Sequence, residues 1–111
     1  MMSLNDLKKE YVDLMGQLSQ LPLMELDQRK KFLENLKRLR KNMLKFMEKN
    51  ILEGDAEKNF FWWLSVCDWF LKNKQQILNN NLTGQKIQES VKNYALHRNQ
   101  RFNQSINENH F

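Results

Sequence analysis

Leu4, Leu7, Tyr11, Leu14, Leu18 and Leu21 recur at alternating steps of three and four residues. A helix turns about 100° per residue, so this spacing stacks the six side chains in one heptad-like seam, which a strand with its period of two cannot do. No alternating run of β-branched residues bounded by turn residues appears elsewhere. Three glycines and one proline leave little material for the turns of a sheet. The chain is therefore expected to be all-α: a small antiparallel four-helix bundle with a flexible C-terminal tail. At 111 residues and 41% hydrophobic content it can bury a core without staples. One helical domain is expected over residues 1–98, with a polar tail, rich in Asn and Gln, over 99–111.

Local signals divide the chain. Ser3 or Asn5 can cap the first helix, and Pro22 makes Leu21 a poor helical residue because its ring crowds the preceding backbone. A connection over about 23–26 leads to Asp27 as cap of a second helix, expected over about 28–51. There Phe32, Leu36, Leu39, Met43, Phe46 and Met47 share a face. Gly54 is a natural stop and Asp55 a cap for a third helix running towards residue 78. Asn79, Asn80 and Asn81 break it, and Thr83 can cap a fourth, on which Ile87, Val91, Tyr94, Ala95 and Phe102 share a face. The first seam can instead pair with a second copy of the chain, but three heptads are short for a free-standing coiled coil.

The third helix carries the densest apolar block. Residues 60–71 hold six of the twelve aromatic residues, including all three tryptophans. On a helical wheel Phe60, Trp63, Leu64, Cys67, Phe70 and Leu71 cover about 100° of arc, a good core stripe, with Val66 at its edge. Ile77 and Leu78 extend it. Trp62 and Trp69 lie seven residues apart and off the stripe, and Phe61 lies on the opposite flank beside Asp68. Two readings compete for Trp62 and Trp69: contact with neighbouring helices, or an aromatic strip that a partner or second copy covers, since tryptophan is enriched among interface hot spots.

Charge is also unevenly placed. Residues 29–49 hold nine Lys or Arg against two Asp or Glu, a local charge of +7, whereas the whole chain is +5. Lys30, Lys31, Lys37, Arg38, Lys41, Lys45 and Lys49 form a broad face opposite the apolar stripe of the second helix. Such a face can be merely solvated, can track a phosphate backbone, or can attract an acidic protein or an anionic membrane surface. It lacks interleaved aromatics for base stacking and any recognisable helix-turn-helix or RNA-binding signature.

Catalytic constellations are not legible. His97 and His110 are the only histidines, the first near the expected end of the fourth helix and the second in the tail. Cys67 is the only cysteine, so neither an intramolecular disulfide nor a thiolate zinc cluster can form, and it reads as a buried small hydrophobe. Asp68 is expected at an exposed edge or paired with Lys72 at i+4. Isolated glycines make no phosphate-cradling loop. The block is too short to cross a bilayer, and no secretory h-region is visible.

These features point to a cytoplasmic, non-catalytic α-helical protein-interaction module: an adaptor, inhibitor, immunity-type protein or small subunit of an assembly. Its partner is expected to be another protein, of acidic character, or a second copy as a homodimer. Phe61, Trp62 and Trp69 would supply the anchors. The alternative is a nucleic-acid-binding accessory protein using Lys37, Arg38, Lys41, Lys45 and Lys49. No catalytic residue, cofactor, metal or small-molecule substrate is expected.

Overall fold

Ser3 opens the first helix of the computed structural model through a reciprocal cap: Asp6 N–H donates to Ser3 Oγ at 3.2 Å and Ser3 N–H donates to Asp6 Oδ2 at 2.9 Å. Two of the amides that a helix start leaves unpaired are thereby satisfied. The structure describes the backbone of residues 2–109 and the side chains of residues 2–98. Helix α1 spans Leu4–Met15, which is shorter than the seam suggests. Gly16, a poor helix former, caps it, and a 3-10 helix over Leu18–Leu23 follows with Pro22 inside it. The seam survives the change. A 3-10 helix has three residues per turn, so Leu18 and Leu21, three apart, stay in line, and Leu21 is fully buried.

Helix α2 spans Leu26–Lys49. Its cap is Glu25 and not the expected Asp27: Glu25 N–H donates to Gln28 Oε1 at 3.1 Å in a second reciprocal cap. Asp27 falls in the first turn, where a negative charge suits the positive end of the helix dipole. Phe32, Leu33, Leu36, Leu39 and Met43 are buried along its inner face. Gly54 takes φ +63°, the left-handed conformation that glycine tolerates, and starts α3 over Gly54–Lys72. Asp55 again lies in the first turn and not at the cap.

The expected continuous helix to residue 78 breaks at Asn73. Its backbone N–H and its side-chain amide both donate to the Trp69 carbonyl, at 3.0 and 2.8 Å. The break frees a five-residue α4, Lys74–Leu78, which turns Ile77 into the core. Asn80 sits at φ +54°, a conformation asparagine accepts, and donates to the Pro22 carbonyl at 3.1 Å. Thr83 caps α5 as expected, accepting from Lys86 N–H at 3.2 Å. Helix α5 spans Gly84–Asn109, so His97 and Arg98 lie in mid-helix and not near its end. The expected tail over 99–111 takes helical backbone as far as Asn109. Its side chains, Phe102 among them, and residues 110–111 with His110 lie outside the described residues.

Among the described residues there are six helical segments and no strand, so the chain is all-α. One buried cluster draws on every segment, with Leu7, Phe32, Leu36, Leu39, Met43, Phe60, Cys67, Phe70 and Ala95 at or near zero exposure. Contacts order the helices. Phe46 stacks on Phe60, Arg40 meets Asp68 and Arg29 reaches the Leu78 carbonyl, so α2 runs opposite to α3 and α4. Lys72 with Tyr94 and Asp68 with Arg98 set α5 opposite to α3 in the same way. The molecule is 18 Å across its thinnest axis, room for two helix layers and no more.

Candidate functional site

The aromatic block is absorbed chiefly by the protein's own neighbours. Trp69 is only 6% exposed and packs edge-on to Phe70 at 5.0 Å between ring centroids, so it is a core residue. It does not form an outward strip with Trp62. Trp62 is half-buried against the core, beside Tyr11 of α1. Trp63 stacks on the Tyr11 ring at 5.5 Å, and Phe61 is half-buried. A helix apolar nearly all round needs neighbours on several sides, and α3 has α1, α2 and α5.

Asp68 occupies the centre of the opposite flank. It does not pair with Lys72. Its two carboxylate oxygens instead accept from Arg40 of α2 and Arg98 of α5, tying three helices together through one side chain. Asp68 is 13% exposed while the two arginines remain largely open to water. The hydrogen bond that Arg98 donates to Asp68 is the main reason that its guanidinium is held still more firmly in its charged form. Beside it Lys72 donates to the Tyr94 hydroxyl at 3.0 Å and lies 5.3 Å from the centre of its ring, a cation–π contact. Lys72, Tyr94, His97 and Arg98 outline a shallow depression there.

The expected basic row is exposed throughout, but the structure does not gather it into one site. Successive steps of four turn the row by about 120° between Lys37 and Lys49. Lys45 and Lys49 flank a hollow beside Met2, Phe46 and Asn50. Lys37, Arg38 and Lys41 join Arg40, Leu44 and Leu71 around a different depression, a groove of about 490 Å³ between α2 and the last turn of α3. Two of the nine cations counted in residues 29–49 serve the fold. Arg29 donates to the Leu78 carbonyl at 3.2 Å and to the Met24 carbonyl, and Arg40 is held by Asp68.

Arg40, Leu44 and Arg98 were not singled out by pattern, and Leu71, expected on the core stripe, is half-buried and lines the groove. Leu44 did carry a signal: it is an apolar residue off the inner stripe of α2, one turn from Arg40 and Lys41. It is 38% exposed, so the protein's own helices leave it partly uncovered.

Burial pushes the Cys67 thiol from 9.0 up to about 12, and the Asp68 charge beside it adds to the rise. A thiol so placed is no nucleophile near neutral pH. Burial likewise pushes the Tyr11 phenol from 10.0 to about 12. Among the described residues no three His, Cys, Asp or Glu side chains come together in a way that would hold a metal ion. No helix among them is long and apolar enough to cross a membrane. What the arrangement can do is attract anions: Arg40 of α2 and Arg98 of α5 meet at Asp68 of α3, Lys72 lines a depression with Arg98, and Lys37, Arg38 and Lys41 line another with Arg40. The chain matches no protein-family model, no curated protein and no solved structure.

Proposed function

We propose that the chain is a non-catalytic protein-interaction module, with its long helices packed as an antiparallel bundle, that receives an acidic protein on the shared cationic surface of α2, α3 and α5. One observation carries the reading: Arg40 of α2 and Arg98 of α5 meet at Asp68 of α3, and beside Arg40 the exposed Lys37 and Lys41 make no hydrogen bond or ion pair among the described residues. Such a field concentrates acidic partners and speeds encounter. The tryptophans contribute by holding α3 between its neighbours. A duplex is the weaker ligand because the lysine row winds around α2 and offers no straight phosphate track.

Fluorescein-labelled polyglutamate and a short labelled DNA duplex, titrated into the protein at two salt concentrations, test the proposal. Polyglutamate is expected to bind, to weaken with salt, and to lose at least several-fold in affinity in the Lys37→Glu/Lys41→Glu variant. Preference for the duplex, or polyglutamate binding untouched by the double reversal, overturns it.

A further inference from the structure

The groove between α2 and α3 combines two features that a merely solvated basic face does not need. Its walls are Lys37, Arg38, Arg40 and Lys41, yet its surface is mainly apolar, because Leu44 and Leu71 pave the floor and the methylene stems of the long cations line the sides. It is an open depression of about 490 Å³, so a partner can lie along it without being enclosed. Leu44 is 38% exposed and Leu71 half-buried, so the floor is open to a visitor. The cations are spaced to match. Lys37 and Lys41 stand one helical turn apart, about 6 Å, and Leu44 comes a further turn along, so the lined length of α2 is about 10 Å.

Resting on the function proposed above, we infer that this groove is the docking site for an acidic amphipathic helix of a partner protein. One or two aliphatic side chains of that helix seat on Leu44 and Leu71, and its carboxylates, one turn apart, meet Lys37 and Lys41. Charge complementarity selects the acidic partner, and the leucine floor selects one with apolar side chains to bury. A nucleic acid meets only half of this description. It satisfies the lysines but leaves the floor uncovered, and the groove offers no aromatic face on which a base can stack. A helix, in preference to a strand, fits because no sheet edge exists among the described residues to accept main-chain hydrogen bonds. Arg40 is steadied by Asp68, so one cationic wall is already oriented before any ligand arrives.

The test uses the full chain and three labelled probes: a roughly 18-residue helical peptide with Glu on one face and Leu on the other, the same peptide with each Leu replaced by Ser, and polyglutamate. The Glu/Leu peptide is expected to bind at least about tenfold more tightly than the Glu/Ser peptide, a step of 1.4 kcal/mol. Leu44→Ala, at an exposed position that leaves the fold intact, is expected to erase most of that difference while leaving polyglutamate binding unchanged. Chemical shift changes on binding should centre on Leu44 and Leu71. Equal binding of the two peptides, or indifference of the Glu/Leu peptide to Leu44→Ala, overturns the groove while the cationic-surface reading stands. Loss of polyglutamate binding as well overturns both. A concentration-dependent dimer that Leu44→Ala abolishes would put a second copy in the groove and overturn the acidic helix.

Discussion

Helices α2 and α3 lie side by side and use their surfaces in opposite ways. Helix α2 buries a single stripe and turns Lys37, Arg38, Lys41, Lys45 and Lys49 to water. Helix α3 keeps almost nothing for water between Phe60 and Phe70, where even Ser65 is buried and bonded to the Phe61 carbonyl at 2.8 Å. The difference is not in the number of neighbours, since α2 packs on α1, α3 and α4. It is in the sides they cover: α3 meets α2 and α5, and Tyr11 of α1 reaches Trp63, so Trp69 is buried as well as the main stripe, and Trp62 and Trp63 are half-buried. An excess of aromatic residues in one helix therefore reports that helix's central position before it reports a partner, whereas an apolar residue stranded among lysines, such as Leu44, reports an uncovered spot.

The contrast can be broken most forcefully inside α3. Phe70→Ala, at a site with no exposure and a ring contact to Phe32, is expected to cost about 3–5 kcal/mol in urea unfolding. A loss below about 1 kcal/mol would mean that α3 is not the centre. Alkali comes next. The folded-state pKa values of Cys67 and Tyr11 stand above their ordinary 9.0 and 10.0, so the folded protein holds these protons longer than the unfolded chain. Their contribution is intact below about pH 9 and is lost progressively as pH rises towards 12. Thermal melts from pH 8 to 11 should fall faster for the parent than for Cys67→Ala compared with its own value at pH 8. Cys67 should also resist alkylation at pH 8 until urea is added.

A smaller effect is expected at the seam between the two helices. Asp68→Asn removes the charge that holds Arg40 and Arg98, and because both arginines are substantially solvated the loss should be about 1 kcal/mol. Least of all, Lys37→Glu/Lys41→Glu should move the melting midpoint by the equivalent of no more than about 0.5 kcal/mol. That pair should change ligand binding and leave folding alone.

Much of the local chemistry was legible in the sequence, although Asp27 and Asp55 fall in the first turns of their helices and not at the caps. Ser3 and Thr83 cap their helices, Asn80 turns the chain, and Phe60, Leu64, Cys67 and Phe70 are buried as the wheel places them. Most of what pattern could not give depends on distant parts of the chain. The partners of Asp68 lie 28 and 30 residues away, beyond any i+4 rule. The wheel gives the direction of Trp69 but not what stands in that direction. The break at Asn73 escaped notice because asparagine is only a mildly poor helix former, and here it competes by bonding back to Trp69. The groove was half legible: its lysines were singled out, but its floor needs Leu71 of one helix to meet Leu44 of another.

The Arg40–Asp68–Arg98 clamp also bears on how long the folded molecule lasts. Each of its bonds closes a loop of about thirty residues, so the entropy of bringing α2, α3 and α5 together must be met before either bond can form. Interactions made after the rate-limiting step slow unfolding without speeding folding. In stopped-flow measurements Asp68→Asn should accordingly raise the unfolding rate by roughly fivefold and leave the refolding rate nearly unchanged, a loss of about 1 kcal/mol expressed wholly as lifetime. One carboxylate with modest effect on equilibrium would thus act as a catch on the native state, setting how often α2, α3 and α5 come apart.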